Sequence, residues 1–246
     1  MLDLEILEKQ TREFGEKYVA PYTSSVDKEG RFPIEAYNEL KKKGFMGLLV
    51  PKEYGGSNGS CMHHLKVCYI LAQFDASSAL CYMMHNVATM VIVKFGTKEQ
   101  KEEFLPKIAN GEITFALAYS ESGSGTHFGL PDITETRDGE YCILNGRKSF
   151  VTSAKQANYY LTYTNSACIQ GAKNNWITPS NDKNLVHEEG IWDGFGMRGN
   201  TSQPVQYNNV KLETKRYLLG NDGDGETQAG LVAMYFVVGL GAVYSG

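Results

Sequence analysis

The sequence predicts an α+β fold: a helical bundle leads, an antiparallel β domain follows and a further helix ends the chain. Three observations predict it. Before Glu112, apolar residues recur at helical spacing. From Ile113 the texture changes to short strand-like runs broken by Asp-Gly, Asn-Gly and Asn-Asn pairs. After Gly225 a charge-poor helical run returns.

Each element follows from local chemistry. Leu4, Leu7, Phe14 and Tyr18 keep helical spacing until Pro21 stops the run, because proline has no N–H to continue the ladder. Pro33 suits a first helical turn, Ile34, Tyr37 and Leu40 form an apolar stripe, and Gly44 suits the helix end. Residues 51–57 read as a loop. Residues 62–74 and 76–95 are apolar most of the way round, as inner helices of a bundle are, whereas 98–110 is a charged surface helix. Runs at 133–137, 141–144 and 148–152 predict a meander with tight turns at Asp138-Gly139 and Asn145-Gly146. Type I′ turns need positive φ at both central positions, which these pairs tolerate. Further turns are expected at Asn174-Asn175 and Asn208-Asn209. The expected divisions are 1–111 helical, 112–225 β and 226–246 helical.

Composition narrows the function classes. With 246 residues, 42% apolar and 21% charged, the chain buries a substantial core. A net charge of -4 leaves no basic footprint for a nucleic-acid partner. Cys61, Cys68, Cys81, Cys142 and Cys168 are odd in number and form no C-x-x-C pair, so free thiols and a cytoplasmic location are expected. The opening MLDLEILEKQ carries acidic residues and is no secretory signal. Two uncharged runs bear on a membrane. Residues 76–93 include Ser77, Ser78, His85, Asn86 and Thr89 and read as a buried core helix. Residues 227–246 are interrupted by Gly239 and Gly241 and lack basic flanks, so no membrane span is expected. His63-His64 offers no metal site, because adjacent helical side chains point apart.

The stretch with most chemistry begins at Leu117. A short apolar run leads into Glu121-Ser122-Gly123-Ser124-Gly125-Thr126, small residues that let backbone N–H groups approach a flat or anionic ligand. In register on Glu121, Gly123 and Gly125, residues 117–127 resemble the F-A-L-T-E-P-x-A-G-S-D hallmark of the acyl-CoA dehydrogenase family. Residues 144–153, LNGRKSFVTS, are similar to its L-N-G-x-K-x-W-I-T-N segment, and GMRGNTS at 196–202 resembles G-M-R-G-S-x-T. Phe32-Pro33, Gly44, Gly47, Pro51 and Tyr54-Gly55-Gly56 extend the resemblance through the first hundred residues.

The resemblance implies a flavoprotein that uses FAD for α,β-dehydrogenation of acyl-CoA thioesters, with a β-barrel-like middle domain. A carboxylate removes an α-proton while the β-hydrogen leaves as hydride to the flavin. Fatty acid metabolism, an electron-transfer flavoprotein or similar acceptor and a homo-oligomer are implied with it. Carried over residue by residue, Leu117, Tyr119 and Ser120 meet the flavin's pyrimidine edge. Thr126 reaches the cofactor's phosphates and lies beside the acyl-CoA substrate. Phe150 stands where a tryptophan usually stacks on the ring, and Thr152, followed by Ser153, lies near its reactive nitrogen. A neutral aromatic also stacks on flavin, so Phe150 keeps that interaction while losing an indole N–H.

Departures follow. Ser122, Ser124 and His127 replace proline, alanine and aspartate, and His127 exchanges a carboxylate for an imidazole. The resemblance further implies that a C-terminal helical domain is missing and that the last helix is the truncated first helix of that domain. At the positions where some family branches carry the catalytic glutamate stand Phe236 and Val237, neither of which takes a proton, so no catalytic residue is assigned. Glu121 matches a structural residue of the flavin loop. Leu231, Val232, Met234, Tyr235, Phe236, Val237, Val238, Leu240 and Val243 crowd residues 231–244 and predict self-association or a partner subunit there. Two readings stay open: an enzyme chain whose base is supplied elsewhere, or a non-catalytic flavin or acyl-CoA-binding subunit. A β-domain interaction module without flavin is a weaker third.

Overall fold

The structure, a computed structural model, describes residues 2–246 except 125, 126, 128, 189 and 191. Its longer helices form where the spacing predicts, and two short ones, Thr23–Glu29 and Thr214–Tyr217, add to them. In α1 (Leu4–Phe14) the Asp3 carboxylate accepts the Ile6 N–H at 3.0 Å, capping the first turn, and Leu7, Thr11 and Phe14 face inward. A π-helical turn, Gly15–Val19, ends this run before Pro21. α2 (Thr23–Glu29) and α3 (Ile34–Lys42) follow, with Pro33 at the N-cap of α3 and Gly44 beyond its end at φ 77°. α4 (Cys61–Ala72) and α6 (Lys98–Ala109) flank α5 (Ala76–Phe95). Residues 77–92 of α5 are buried without a break. By length and composition α5 and α8 (Gly225–Ser245) are both able to cross a membrane, but 89% of the apolar stretch of α5 is buried inside the fold. For α5 this is the signature of a core helix.

Among the described residues, seven strands build two sheets, and the barrel is not closed. β1 (Phe115–Ala118), β4 (Tyr159–Asn165) and β5 (Lys173–Pro179) form one, in the order β1-β4-β5. β2 (Thr134–Asp138), β3 (Tyr141–Val151), β6 (Leu185–His187) and β7 (Gln203–Glu213) form the other, in the order β2-β3-β7-β6. The pairings are antiparallel, as expected, except that β1 and β4 pair in parallel, because the chain between them leaves to build β2 and β3 in the second sheet.

Three of the four expected turns are corrected as well. Asp138-Gly139 does turn the chain, with Gly139 at φ 61°. Asn145-Gly146 instead lies inside β3, where the register against β7 shifts between Leu144 and Asn145, and Asn208-Asn209 lies opposite it in β7. These residues form a bulge: Asn209 takes φ 59°, Gly146 takes φ 142°, and the Asn145 side chain exchanges hydrogen bonds with Asn209 at 3.1 and 2.8 Å. A Cβ on Gly146 would sit 3.0 Å from Ile133 Cα, so the close strand approach explains the glycine better than a hairpin does. Asn174-Asn175 lies within β5, where both amides are buried and hydrogen-bonded.

The first sheet is a middle layer. On β1 the large Phe115 and Leu117, with Tyr119 just beyond, join the helical core, while Ala116 and Ala118 join the core between the sheets. β4 and β5 repeat the alternation, with Leu161, Tyr163 and Ile177 facing the helices and Tyr160 and Trp176 facing the second sheet. His85 of α5 bonds across to this layer, accepting the Phe115 N–H on Nδ1 at 3.0 Å while its Nε2 meets the Met46 carbonyl at 3.0 Å. A short helix, α7 (Thr214–Tyr217), then leads to α8. There Asn175 donates to Gln228 Oε1 at 2.9 Å, and Gln228 donates to the Leu219 carbonyl at 2.8 Å. α8 lies on α4 and α5 and buries Val232, Tyr235, Gly239 and Val243. Its apolar residues therefore have partners on one face. Met234, Val237 and Val238 are exposed on the other.

Candidate functional site

Where the sheet ends meet α5 and α8, the layers leave a cleft of about 650 Å³. Each wall has its own chemistry. Ser120, Thr152, Asn200 and Ser202 supply polar groups from the sheet side. Leu80 and Met84 of α5 and Phe236, Leu240 and Tyr244 of α8, each set spaced by four and so on one helix ridge, supply an apolar wall. Phe150, Trp192 and Phe195 form an aromatic edge.

The polar wall is held rigidly. Ser149 N–H donates to the Ser120 carbonyl at 2.8 Å, carrying the line of β1 onto β3. Thr152 and Ser202 share a hydroxyl–hydroxyl bond of 2.9 Å, and Ser153 N–H donates to the Asn200 carbonyl at 3.0 Å. Ser153, Met197 and Thr201 all sit at positive φ (61°, 54° and 48°), conformations that cost non-glycine residues energy and cluster at ligand sites. Ser149 Oγ, Ser153 Oγ, Thr201 Oγ1 and Gln203 Oε1 are buried without a hydrogen-bond partner. All four belong to the two segments that border the cleft, but none of these residues lines it.

Beneath this wall lies a buried ion pair. Lys148 Nζ contacts Glu121 Oε1 at 2.5 Å and the carbonyls of Tyr163 and Tyr119 at 2.5 and 3.3 Å. The Glu121 carboxylate also accepts the N–H groups of Asp132 and Ile133. Burial drives the Lys148 ammonium down to about 8 while Glu121 pulls the other way, so the lysine remains mostly charged at neutral pH. Glu121 is thus fully engaged in holding Lys148 and the backbone at Asp132 and Ile133, and is not free to act as a base.

The sequence-derived candidates divide. Ser120, Phe150 and Thr152 come together in the cleft lining, and Phe150 is 57% exposed into it. Ser153 is buried next to them. The strand alternation turns Leu117 and Tyr119 into the helical core, where the Tyr119 ring stacks on Tyr163 at 4.8 Å and its hydroxyl donates to Asn175 at 2.7 Å. Thr126 lies outside the described residues. Phe236 lines the cleft and Val237 is exposed. Among the described lining residues there is no carboxylate, histidine or lysine. His63 accepts the Ser60 N–H on Nδ1, capping α4, and His64 faces inward; among the described residues no group of His, Cys, Asp and Glu converges to hold a metal. Sequence reasoning missed Trp192, Asn200, Ser202, Leu80, Met84, Leu240 and Tyr244. The spacing of four at 80/84 and 236/240/244 was the available signal for the helical wall.

Fold and cleft together define an α+β protein with a cleft at the helix–sheet junction. Family models described as the acyl-CoA dehydrogenase N-terminal and middle domains match residues 3–112 and 116–210, and the chain belongs to the acyl-CoA dehydrogenase family. It is similar to the mitochondrial short/branched chain specific acyl-CoA dehydrogenase of Bos taurus, with 29% identity over 89% of this chain and 51% of that protein. The fold matches butyryl-CoA dehydrogenase from Megasphaera elsdenii, with a TM-score of 0.91 and 24% identity over 99% of this chain and 65% of that one. It likewise matches an acyl-CoA dehydrogenase complexed with FAD from Bacillus anthracis, with a TM-score of 0.87 and 22% identity over 97% of this chain and 41% of that one. The chain spans about half to two thirds of the length of the curated relatives it matches.

Proposed function

We propose that the cleft binds FAD and an acyl-CoA thioester and serves α,β-dehydrogenation of the acyl group. The observation that carries this reading is the convergence of Ser120, Phe150 and Thr152 on one cleft whose opposite wall is apolar. Fit to FAD is supported by the Ser120 and Thr152 hydroxyls in the lining and by the exposed ring of Phe150. When bound, FAD supplies the two-electron acceptor. Of the protein's own groups, the Ser120 and Thr152 hydroxyls hydrogen-bond a heterocyclic edge and Phe150 stacks. Leu80, Met84, Phe236 and Leu240 exclude water from the acyl carbons. The polar candidates extend to Ser153, to the backbones of Leu117 and Tyr119, and to Thr126 for phosphate and substrate. No described lining group accepts the α-proton, so the base comes from outside this lining, in another segment or another chain.

The functional divisions are 1–111, 112–225 and 226–246 in this reading, with a cytoplasmic setting in fatty acid metabolism and an electron-transfer flavoprotein or similar acceptor as partner. The exposed face of α8 supports a homo-oligomer or partner-subunit contact through residues 231–244, since Met234 and Val237 are at least half exposed. Light scattering is expected to find the isolated chain larger than a monomer; Val237→Asp should shift it toward one, and a monomeric parent would dismiss the contact.

The test of the cofactor site is flavin content, measured by absorbance against protein. Phe150→Ala is expected to weaken FAD binding roughly two- to tenfold, since an aromatic stack contributes about 0.5–1.5 kcal/mol beyond its area. Flavin content equal to the parent's would count against the assignment. Reduction of bound flavin by added acyl-CoA separates the enzymatic reading from a non-catalytic binding subunit.

A further inference from the structure

We infer that Trp192 is a second ring-contacting residue of this site, one that positions Phe150 and forms with it a right-angled aromatic corner for the flavin. The inference rests on the proposed flavin reading of the cleft. Trp192 meets Phe150 edge to face, with ring centroids 6.2 Å apart and planes at 71°, and both rings line the cleft. That geometry leaves the face of Phe150 open while the indole closes one side of it, as the quadrupoles of two aromatic rings prefer.

The loop carrying Trp192 is shaped to hold the indole there. Trp192 Nε1 donates to the Met197 carbonyl at 3.3 Å, folding residues 192–197 back on themselves. Met197 takes a left-handed conformation, φ 54°, to close that fold. A Cβ at Gly194 would stand 2.7 Å from one indole carbon and 3.2 Å from another, so the glycine makes room for the ring. Trp192 is only half-buried, with its remaining exposure at the cleft. An aromatic placed purely for packing needs neither the exposure nor the edge-on approach to another exposed ring.

The chain's composition makes the test direct, because its two tryptophans are Trp192 and the fully buried Trp176 between the sheets. The emission lost in Trp192→Phe therefore reports Trp192 alone. On titration with FAD, that component is expected to be quenched in step with flavin binding measured independently by equilibrium dialysis. Trp192→Ala should raise the FAD dissociation constant roughly tenfold, and Trp192→Phe should raise it less. Adding Phe150→Trp to Trp192→Ala should recover part of the loss, an effect that a merely structural role would not produce. Circular dichroism checks folding, and the Trp192→Phe arm stands if the alanine variant does not fold. FAD binding without quenching of the Trp192 component, or equal affinity in Trp192→Ala, would overturn the inference and leave the flavin reading intact. Absence of FAD binding in the parent would remove both.

Discussion

Glu121→Ala is expected to destabilise the fold by about 3–5 kcal/mol, the range for breaking a buried ion pair by removing one partner. The truncation strands the Lys148 ammonium, which is fully buried, and leaves it only the carbonyls of Tyr163 and Tyr119. It also frees the N–H groups of Asp132 and Ile133, so that backbone contact is lost together with the charge. Urea unfolding monitored by circular dichroism measures the difference. A double variant, Glu121→Leu with Lys148→Met, should recover a large part of it, because removing both charges removes the desolvation cost as well. A single-variant loss under about 1 kcal/mol would place the pair in the hydrated, surface-like class.

The second large effect is acid lability. Burial drives His64 down to about 3 and His85 down to about 4 from an ordinary value near 6.5. In both, the folded value lies below the unfolded one, so the unfolded chain binds more protons over the window between them. Stability from these groups is fully present above about pH 6.5 and is lost as pH falls toward 4, by roughly 1.4 kcal/mol per pH unit for each histidine. His85 has a geometric reason: its Nδ1 accepts the Phe115 N–H, so a proton there would face another proton. The folded state is expected to weaken by about 3–5 kcal/mol between pH 6.5 and 4.5, read from urea midpoints across that range. His85→Gln should flatten the slope by about half. A slope unchanged in both His85→Gln and His64→Gln would assign the acid sensitivity to carboxylates.

The longer helices were legible in the sequence because their signal is local: periodicity and breaks at Pro21 and Gly44. The sheets were less so. Asn145-Gly146 and Asn208-Asn209 carry the residues a tight turn requires, but cross-strand pairing between distant segments decided their conformation, and the same tolerance of positive φ served a bulge. The candidate site was legible where motif residues point outward from the sheet, as Phe150 and Thr152 do. Trp192 and the α5–α8 ridges reach the cleft through tertiary packing that no short segment encodes. The direction of Leu117 and Tyr119 depended on knowing which face of β1 meets the helices.

The middle position of the β1-β4-β5 sheet has a consequence for how the molecule comes apart. One face of this sheet belongs to the helical core and the other to the second sheet, and Gln100 of α6 ties the helices to the carbonyls of Arg216 and Leu218. The change of texture near residue 112 is therefore a boundary in chain order but not a plane of mechanical weakness. Peeling the helices away would uncover Phe115, Leu117, Leu161 and Ile177 at once, and melting the strands would strip the floor from α5. The two halves are expected to unfold as one cooperative unit, giving in calorimetry a single heat-absorption peak whose calorimetric and van't Hoff enthalpies agree.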